Sequence, residues 1–375
     1  MKNKKKLILP LDKFIEKSLY DKKDGYYMSK NPFGHKGDFI TSPNISIFFS
    51  EMIAIWIISF WKNLNEPKKF NVIELGAGNG ELINIISKTF KNFPKFEEAC
   101  KIYIIEKSPF LKQIQKNKIK NKKTFWINDL SKIKEGPCIF LANEFFDALP
   151  INQYLKYKDT WYEKKVNFLS NGKIEYSNYK VNIKNIEKNV GYKVSKNQKI
   201  LEISKTGIKF LKEISKLINK NNGGLLIIDY GYLEEKMKNT LRGMRNHKIV
   251  NILSNYKTCD ITYSLSFNFL SMHEGTSFLT SLRAISRELP KAYESAPPWL
   301  FIIIPFKPSK LAPLYLLGST TFLKELSTFI EDIPAIFVKT FFAYSSFSFE
   351  DINLAIPSLV FNAILPTKPS QTITS

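Results

Sequence analysis

Cysteine and histidine are scarce, three of each in 375 residues. Cys100, Cys138 and Cys259 lie far apart, which excludes a dense disulfide framework and the usual zinc spacings. His35, His247 and His273 show no ligand spacing either, so no metal site is expected. A reducing, cytoplasmic environment is the default expectation. Long apolar runs are absent: none reaches the about 18 residues that a spanning helix needs. Residues 299–306 form too short a run, and 335–346 is broken by Lys339. At the basic start the apolar run ends by Leu11, too soon for a secretory signal, and no arginine marks a transit peptide. Arginine is nearly missing: of 56 basic residues only Arg242, Arg245, Arg283 and Arg287 are arginines. Readers of bases and phosphates lean on arginine forks. The net charge of +22 therefore reads as lysine-rich composition, with no specific nucleic acid as partner.

What is present changes character near residue 270. Residues 1–270 hold 46 lysines and 29 asparagines, whereas 271–375 hold 6 and 2. The second stretch carries 10 of the 18 prolines and equal numbers of acids and bases, so all the excess charge sits in the first. Hydrophobic periodicity fades there as well. Two readings fit this atypical tail: a genuine added segment, or a stretch read out of frame.

The first 270 residues alternate strand and helix patterns, which implies a mostly parallel sheet. The spacing predicts helices over 11–19, 43–61, 81–90, 109–118 and 205–219, with Ser42 or Asn44 capping the second. It predicts strands over 70–75, 101–105, 124–127, 138–142 and 224–229. Period-two alternation over 151–179 with a turn at Asn171-Gly172 predicts a β-hairpin insertion, about 151–185. The resulting division is an N-terminal helical segment over 1–66, an α/β core over 67–270, and the tail over 271–375.

The sharpest local pattern is Val72-Ile-Glu-Leu-Gly-Ala-Gly-Asn-Gly80. A buried strand ends in a glycine turn and a helix begins, the crevice position of an open α/β sheet. Gly76, Gly78 and Gly80 let backbone approach a ligand where a Cβ would collide. The spacing differs from the dinucleotide fingerprint. Glu74 precedes the loop, Glu106 ends the next strand where a carboxylate can accept two ribose hydroxyls, and Asp129 follows the third strand, placed for an adenine amino group. Three acids at successive strand ends suit a cofactor with ribose, adenine and a positive centre and no phosphate. S-adenosylmethionine fits that description better than NAD.

The fourth strand runs into Ala142-Asn-Glu-Phe-Phe-Asp-Ala-Leu-Pro150. Glu144 and Asp147 are three apart and point one way if a helical turn starts there. Two carboxylates can then hold a guanidinium. The Asn/Asp-Pro-Pro-Tyr motif of base-modifying methyltransferases is lacking, which counts against a base as acceptor.

Together these motifs, with Tyr20, Gly25-Tyr-Tyr27, Pro32-Phe-Gly34, Gly37-Asp-Phe-Ile-Thr-Ser-Pro43 and Ile228-Asp-Tyr-Gly-Tyr232, resemble the MidA-type methyltransferases from about residue 11 to 270. That family includes a mitochondrial complex I assembly factor with protein arginine methyltransferase activity. The resemblance implies a Rossmann-like class I methyltransferase fold of the α/β class, with a mostly parallel seven-stranded sheet. It implies S-adenosylmethionine as donor and, as acceptor, an arginine of a protein partner, a subunit of respiratory complex I. By position, Gly37, Asp38, Ile40, Thr41, Ser42 and Pro43 match the segment that covers the cofactor. Gly76, Gly78 and Gly80 match the cofactor loop, and Glu106 the ribose acid. Asn143, Glu144, Phe145 and Asp147 match the active-site loop, with Asn143, Glu144 and Asp147 expected to be catalytic. Asp229, Tyr230 and Gly231 match a later strand end, and Arg242 and His247 a polar segment beyond it. Ser264 stands where the family usually has His, and past Leu270 the resemblance stops. The rival expectations are a non-catalytic assembly chaperone that binds the same cofactor, and a methyltransferase acting on RNA or a small molecule.

Overall fold

Strands buried on both faces read as near-continuous apolar runs, and five of the predicted strands do. In the computed structural model, which describes residues 7–29, 32–33, 47–133, 135–272 and the backbone of 299–305, those runs form one sheet. The chain opens with β1 (Leu7–Pro10), α1 (Leu11–Tyr20), α2 (Tyr26–Ser29) and α3 (Ile47–Asn63). It continues through β2 (Phe70–Leu75), α4 (Glu81–Phe90), α5 (Pro94–Ala99), β3 (Cys100–Ile105), α6 (Pro109–Lys118), β4 (Thr124–Ile127) and β5 (Cys138–Asn143). After β6 (Asn152–Tyr157), β7 (Thr160–Phe168), β8 (Ile174–Val181), α7 (Ile183–Val190) and β9 (Ile200–Ile203) come α8 (Lys205–Asn221) and β10 (Gly223–Tyr232). The last described elements are β11 (Arg242–Arg245), β12 (Lys248–Val250), β13 (Asp260–Thr262), β14 (Leu265–Ser266), α9 (Phe267–Ser271) and β15 (Trp299–Pro305).

The main sheet has seven strands in the order β14-β10-β5-β2-β3-β4, with β15 also on β10. All pairings are parallel except that of β15. Every residue of β2 is buried, Asn71 and Glu74 included. Its two faces meet different partners because side chains alternate along a strand. Ile73 and Leu75 share a core with Leu211, Ile214 and Ile218 of α8 and with Leu11, Phe14 and Leu19 of α1. Phe70, on the other face, joins Trp61 of α3, Phe90 of α4 and Phe96 of α5 in a ring cluster with centroids 4.6–5.6 Å apart. Each such buried apolar side chain contributes about 1.5–3 kcal/mol. The two cores hold the C-terminal ends of β2, β3, β5 and β10 side by side.

The region expected to be a hairpin insertion is larger. β6, β7, β8 and β9 pair antiparallel, and β1 from the N-terminus pairs with residues 165–168 of β7, giving five strands. The turn at Asn171-Gly172 does join β7 to β8, with Gly172 at φ 84°. A further small sheet, β12-β11-β13, precedes β14. Among the described residues no helix is long and apolar enough to cross a membrane. The caps expected at Ser42 or Asn44 lie outside the described residues, as do Arg283, Arg287, His35, His273 and all of the 271–375 tail except 271, 272 and the backbone of 299–305.

Candidate cofactor and acceptor site

The glycine loop opens a cavity of about 630 Å³ over the strand ends, the crevice expected of this sheet. A smaller recess of about 40 Å³ shares Phe33, Gly76, Gly78 and Glu144 with it and adds Glu74 and Asn143. Gly76 and Gly78 line both spaces and adopt φ of 64° and 53°, a region costly for residues with a Cβ. Gly80 plays a different part from the one expected of it. It is the left-handed N-cap of α4, and a Cβ there would lie 3.2 Å from Gln115 Cγ rather than against a ligand.

Acids crowd the near wall. Glu74 is 3% exposed, and its Oε2 accepts no hydrogen bond from the described residues. Burial, and then the charge of Glu106, push its carboxyl up to about 8. Asn143 Oδ1, at the end of β5, is likewise buried with no donor among the described residues. Two buried acceptors lacking donors, in one recess beside the glycine loop, fit a small cationic group such as an ammonium. Glu106 lines the main cavity and is already oriented: Ser108 N–H donates to its Oε1 at 2.8 Å, and Gln115 Nε2 to its Oε2 at 3.0 Å. Each oxygen keeps a lone pair for a further donor, which fits a vicinal diol. Burial raises this carboxyl too, against the lowering effect of those donors. Ser108 also caps α6 through Leu111 N–H and donates to the Tyr27 carbonyl at 2.7 Å, joining α2 to the same corner.

The far wall comes from α1, α2, the loop after β5, β11 and β13. Tyr20 and Tyr27 stack with centroids 5.7 Å apart. Tyr27 donates to Asp260 Oδ1 at 2.7 Å, and Tyr20 donates to the Ala148 carbonyl at 2.9 Å. Burial, with the carboxylates of Asp260, Glu106 and Asp147 behind it, holds the Tyr20 hydroxyl well above its ordinary value, so it stays protonated. Asp260 and Thr262, two apart on β13, both line the cavity. Thr262 Oγ1 donates to Asp147 Oδ2 at 2.8 Å. Burial lifts Asp147 to about 6, while Thr262 and the Arg242 guanidinium act to lower it.

Glu144 and Asp147 both reach this cavity, but no helical turn starts there. Glu144 sits at φ 48°, a strained region for a residue with a Cβ, and its N–H donates to the Ile228 carbonyl at 2.8 Å. Buried Asp229 at the end of β10 secures the turn. Its Oδ2 accepts the N–H groups of Phe146 (3.1 Å) and Asp147 (3.2 Å), and its Oδ1 accepts that of Tyr230 (2.8 Å). The helical expectation failed because short-range acid spacing is compatible with any local turn. The long-range bonds to Asp229 chose this one.

Asp129, expected to meet an adenine amino group, does not line the cavity. It is exposed and caps the single turn at Leu130–Lys132 through Ser131 N–H at 3.0 Å. Ser131 also holds its carboxyl below the ordinary range. Phe125 and Trp126 do not line the cavity either; Phe125 is 43% exposed, and Trp126 Nε1 donates to Gln115. Gly37, Asp38, Ile40, Thr41, Ser42 and Pro43, expected to cover the cofactor, lie outside the described residues. Ser108, Gln115 and the hydroxyl roles of Tyr20 and Tyr27 carry no positional signal in the sequence.

The chain matches over residues 52–285 the family described as "Putative S-adenosyl-L-methionine-dependent methyltransferase". The match runs past the compositional break at 270, beyond the motifs that carry the resemblance. Among curated proteins it is 29% identical over 296 residues to the mitochondrial protein arginine methyltransferase NDUFAF7 of Xenopus tropicalis, covering 70% of this chain and 66% of that one. To the Homo sapiens protein of that name it is 28% identical over 283 residues, covering 68% and 63%. The chain thus spans just under two thirds of the length of these relatives. Their names place them in mitochondria, which corrects the cytoplasmic expectation: few cysteines report a reducing environment, and more than one compartment supplies that. Among solved structures, a Burkholderia thailandensis protein bound to S-adenosyl-homocysteine shares the fold, with TM-score 0.63, 18% identity, and coverage of 80% of this chain and 88% of that one.

Proposed function

The chain belongs to that S-adenosyl-L-methionine-dependent methyltransferase family, and from this premise we propose that it transfers a methyl group to an arginine side chain of a protein. The observation that carries the donor half is the pair of buried acceptors, Glu74 Oε2 and Asn143 Oδ1, beside the glycine loop, with Glu106 at the next strand end. Glu74 and Asn143 would hold the amino end, Gly76 and Gly78 the backbone-facing side, and Glu106 the ribose. When bound, S-adenosylmethionine supplies a methyl carbon already activated by its sulfonium.

The chain's own task is then alignment and charge. Glu144, Asp147 and Asp260 line the cavity with Tyr20, Tyr27 and Tyr230, an acidic, ring-walled space suited to a guanidinium. Glu144 and Asp147 hold the acceptor group and draw its positive charge away from the attacking nitrogen. Asp147, lifted to about 6, takes up the proton which that nitrogen releases. The relatives named protein arginine methyltransferase support this acceptor. A respiratory complex I subunit is the proposed partner. Incubating the chain with a labelled methyl donor and mitochondrial or bacterial lysate is expected to put label on arginine in the protein fraction, located by mass spectrometry. Label in RNA or small molecules alone, or none with the donor bound, would overturn the assignment.

The buried acid gives an independent signature. Because Glu74 titrates near 8 in the fold instead of at its ordinary 4.5, it is mostly protonated at pH 7. A cationic group placed beside it favours the carboxylate, so donor binding is expected to release protons at pH 7. Calorimetry in buffers of different ionisation enthalpy reads the release, and Glu74→Gln should remove it. The same shift acts on folding. A folded value above the unfolded one gives a stability contribution fully present below about pH 4.5 and lost as pH rises through about 8.

A further inference from the structure

One side chain outside the cavity lining ties three strand ends together. Gln115, on α6, is 0% exposed. Its Nε2 donates one hydrogen to the Gly78 carbonyl at 2.8 Å and the other to Glu106 Oε2 at 3.0 Å. Its Oε1 accepts the Trp126 indole N–H at 2.9 Å. An indole nitrogen only donates, so the amide oxygen must face Trp126 and the NH₂ must face Gly78 and Glu106. Chemistry fixes the orientation, and flipping the amide would break all three bonds. The glycine loop, the acid at the end of β3 and the ring in β4 are therefore set by a single planar group.

We propose that Gln115 is the positioning residue that sets the site's selectivity for a ribose diol, by holding Glu106 with one lone pair of each oxygen turned to the cavity. Ser108 N–H donates to Oε1, and Gln115 Nε2 to Oε2. Without Gln115 the carboxylate keeps only the backbone N–H groups of Lys107 and Ser108, both from the turn that follows it, and can rotate on them, so its oxygens no longer match the spacing of adjacent hydroxyls. Trp126 acts one step further back, as the lock on the amide. Gly80 completes the arrangement: a Cβ there would press on Gln115 Cγ at 3.2 Å and Ile119 Cδ1 at 3.3 Å, displacing the helix that carries the amide. Gln115 touches no ligand in this scheme and acts through Glu106.

The inference rests on the proposed S-adenosylmethionine site, and the test separates the two. The probes are S-adenosylhomocysteine and its 2′-deoxy derivative, each titrated calorimetrically into the full chain. Hydrogen bonds to a charged group are each worth about 10–100-fold in affinity, so the unmodified chain should prefer the ribo ligand by about that factor. Gln115→Met, similar in volume, should cut this preference by about tenfold while leaving affinity for the deoxy ligand within about twofold. Gln115→Leu, which likewise offers Glu106 no donor, should do the same. Trp126→Phe, which keeps the glutamine but removes its lock, should give an intermediate loss. That third variant keeps the test in force if either glutamine substitution fails to fold. A structural role alone would weaken both ligands equally, and that result, or an unchanged ratio in any folded variant, overturns the inference while leaving the cofactor site standing. Binding of neither ligand by the unmodified chain overturns both.

Discussion

Gly76→Val is expected to abolish binding of S-adenosylmethionine and S-adenosylhomocysteine, with affinity falling by more than about 100-fold, an effect of about 3 kcal/mol. Two costs combine. Gly76 holds φ 64°, where an L-residue pays about 1–2 kcal/mol and a β-branched one more. A Cβ at this position would also stand 2.8 Å from Phe145 Cδ2, closer than carbon atoms tolerate. Relief needs either the ring to move into the cavity or the loop to shift, and either spoils the wall shared by the cavity and its recess. Gly172→Ala is the control. That glycine also has a positive φ, 84°, but nothing lies within 4 Å of its added Cβ. It should cost about 1 kcal/mol in thermal stability and leave calorimetric affinity unchanged. Equal affinities for Gly76→Val and the unmodified chain would remove the glycine loop from the site.

The contrast between those glycines shows what a sequence exposes and what it conceals. Bounds for β2, α4, α6 and β4 coincide with their predicted ranges because each run is fenced by local punctuation: Gly76 after β2, Gly80 before α4, Pro109 opening α6. The five-stranded antiparallel sheet was only partly legible. Its inner strands announce themselves by alternation, but β1 is four residues, and its partner in β7 lies more than 150 residues later. Nothing local specifies such a pairing; it forms because α1 must lay Leu11, Phe14 and Leu19 onto the shared core, which carries β1 alongside β7.

The site divides in the same way. Glu74 and Glu106 were legible because each sits where a parallel strand runs out into the crevice. Asp129 followed the same rule and misled, since Ser131 two residues on offered its carboxylate a local N–H and hydroxyl, and a cap formed instead. Gln115 gave no signal: it lies in a helix of Lys, Gln and Asn that reads as a solvated face, and only the tertiary packing of α6 against the glycine loop buries it. Tyr27 belongs to the Gly25-Tyr-Tyr27 motif, but its bond to Asp260 spans 233 residues.

Glu144→Gln and Asp147→Asn should each lower kcat by about 10²–10³ while cofactor affinity stays within about threefold, a split expected of groups that engage the acceptor and its developing charge. Fold loss does not explain such a result. The backbone bonds that shape the turn belong to Asp229 and to the Ile228 carbonyl, and both substitutions leave them in place. At 147 an asparagine oxygen can still accept from Thr262. The strain at Glu144, φ 48°, costs about 1–3 kcal/mol and persists because Asp229 and β10 over-determine the turn. That strain aims the carboxylate at the cavity from a chain direction no helix would give. The two variants should differ in pH response. An acid limb near pH 6 in the kcat/KM profile, which reports the free enzyme, belongs to Asp147, whose neutral form cannot accept the departing proton, so the limb should vanish in Asp147→Asn and survive in Glu144→Gln. Full turnover in both variants, with the donor still bound, would show that the acceptor is held elsewhere on the far wall, with Asp260 and Tyr27 the next residues to test.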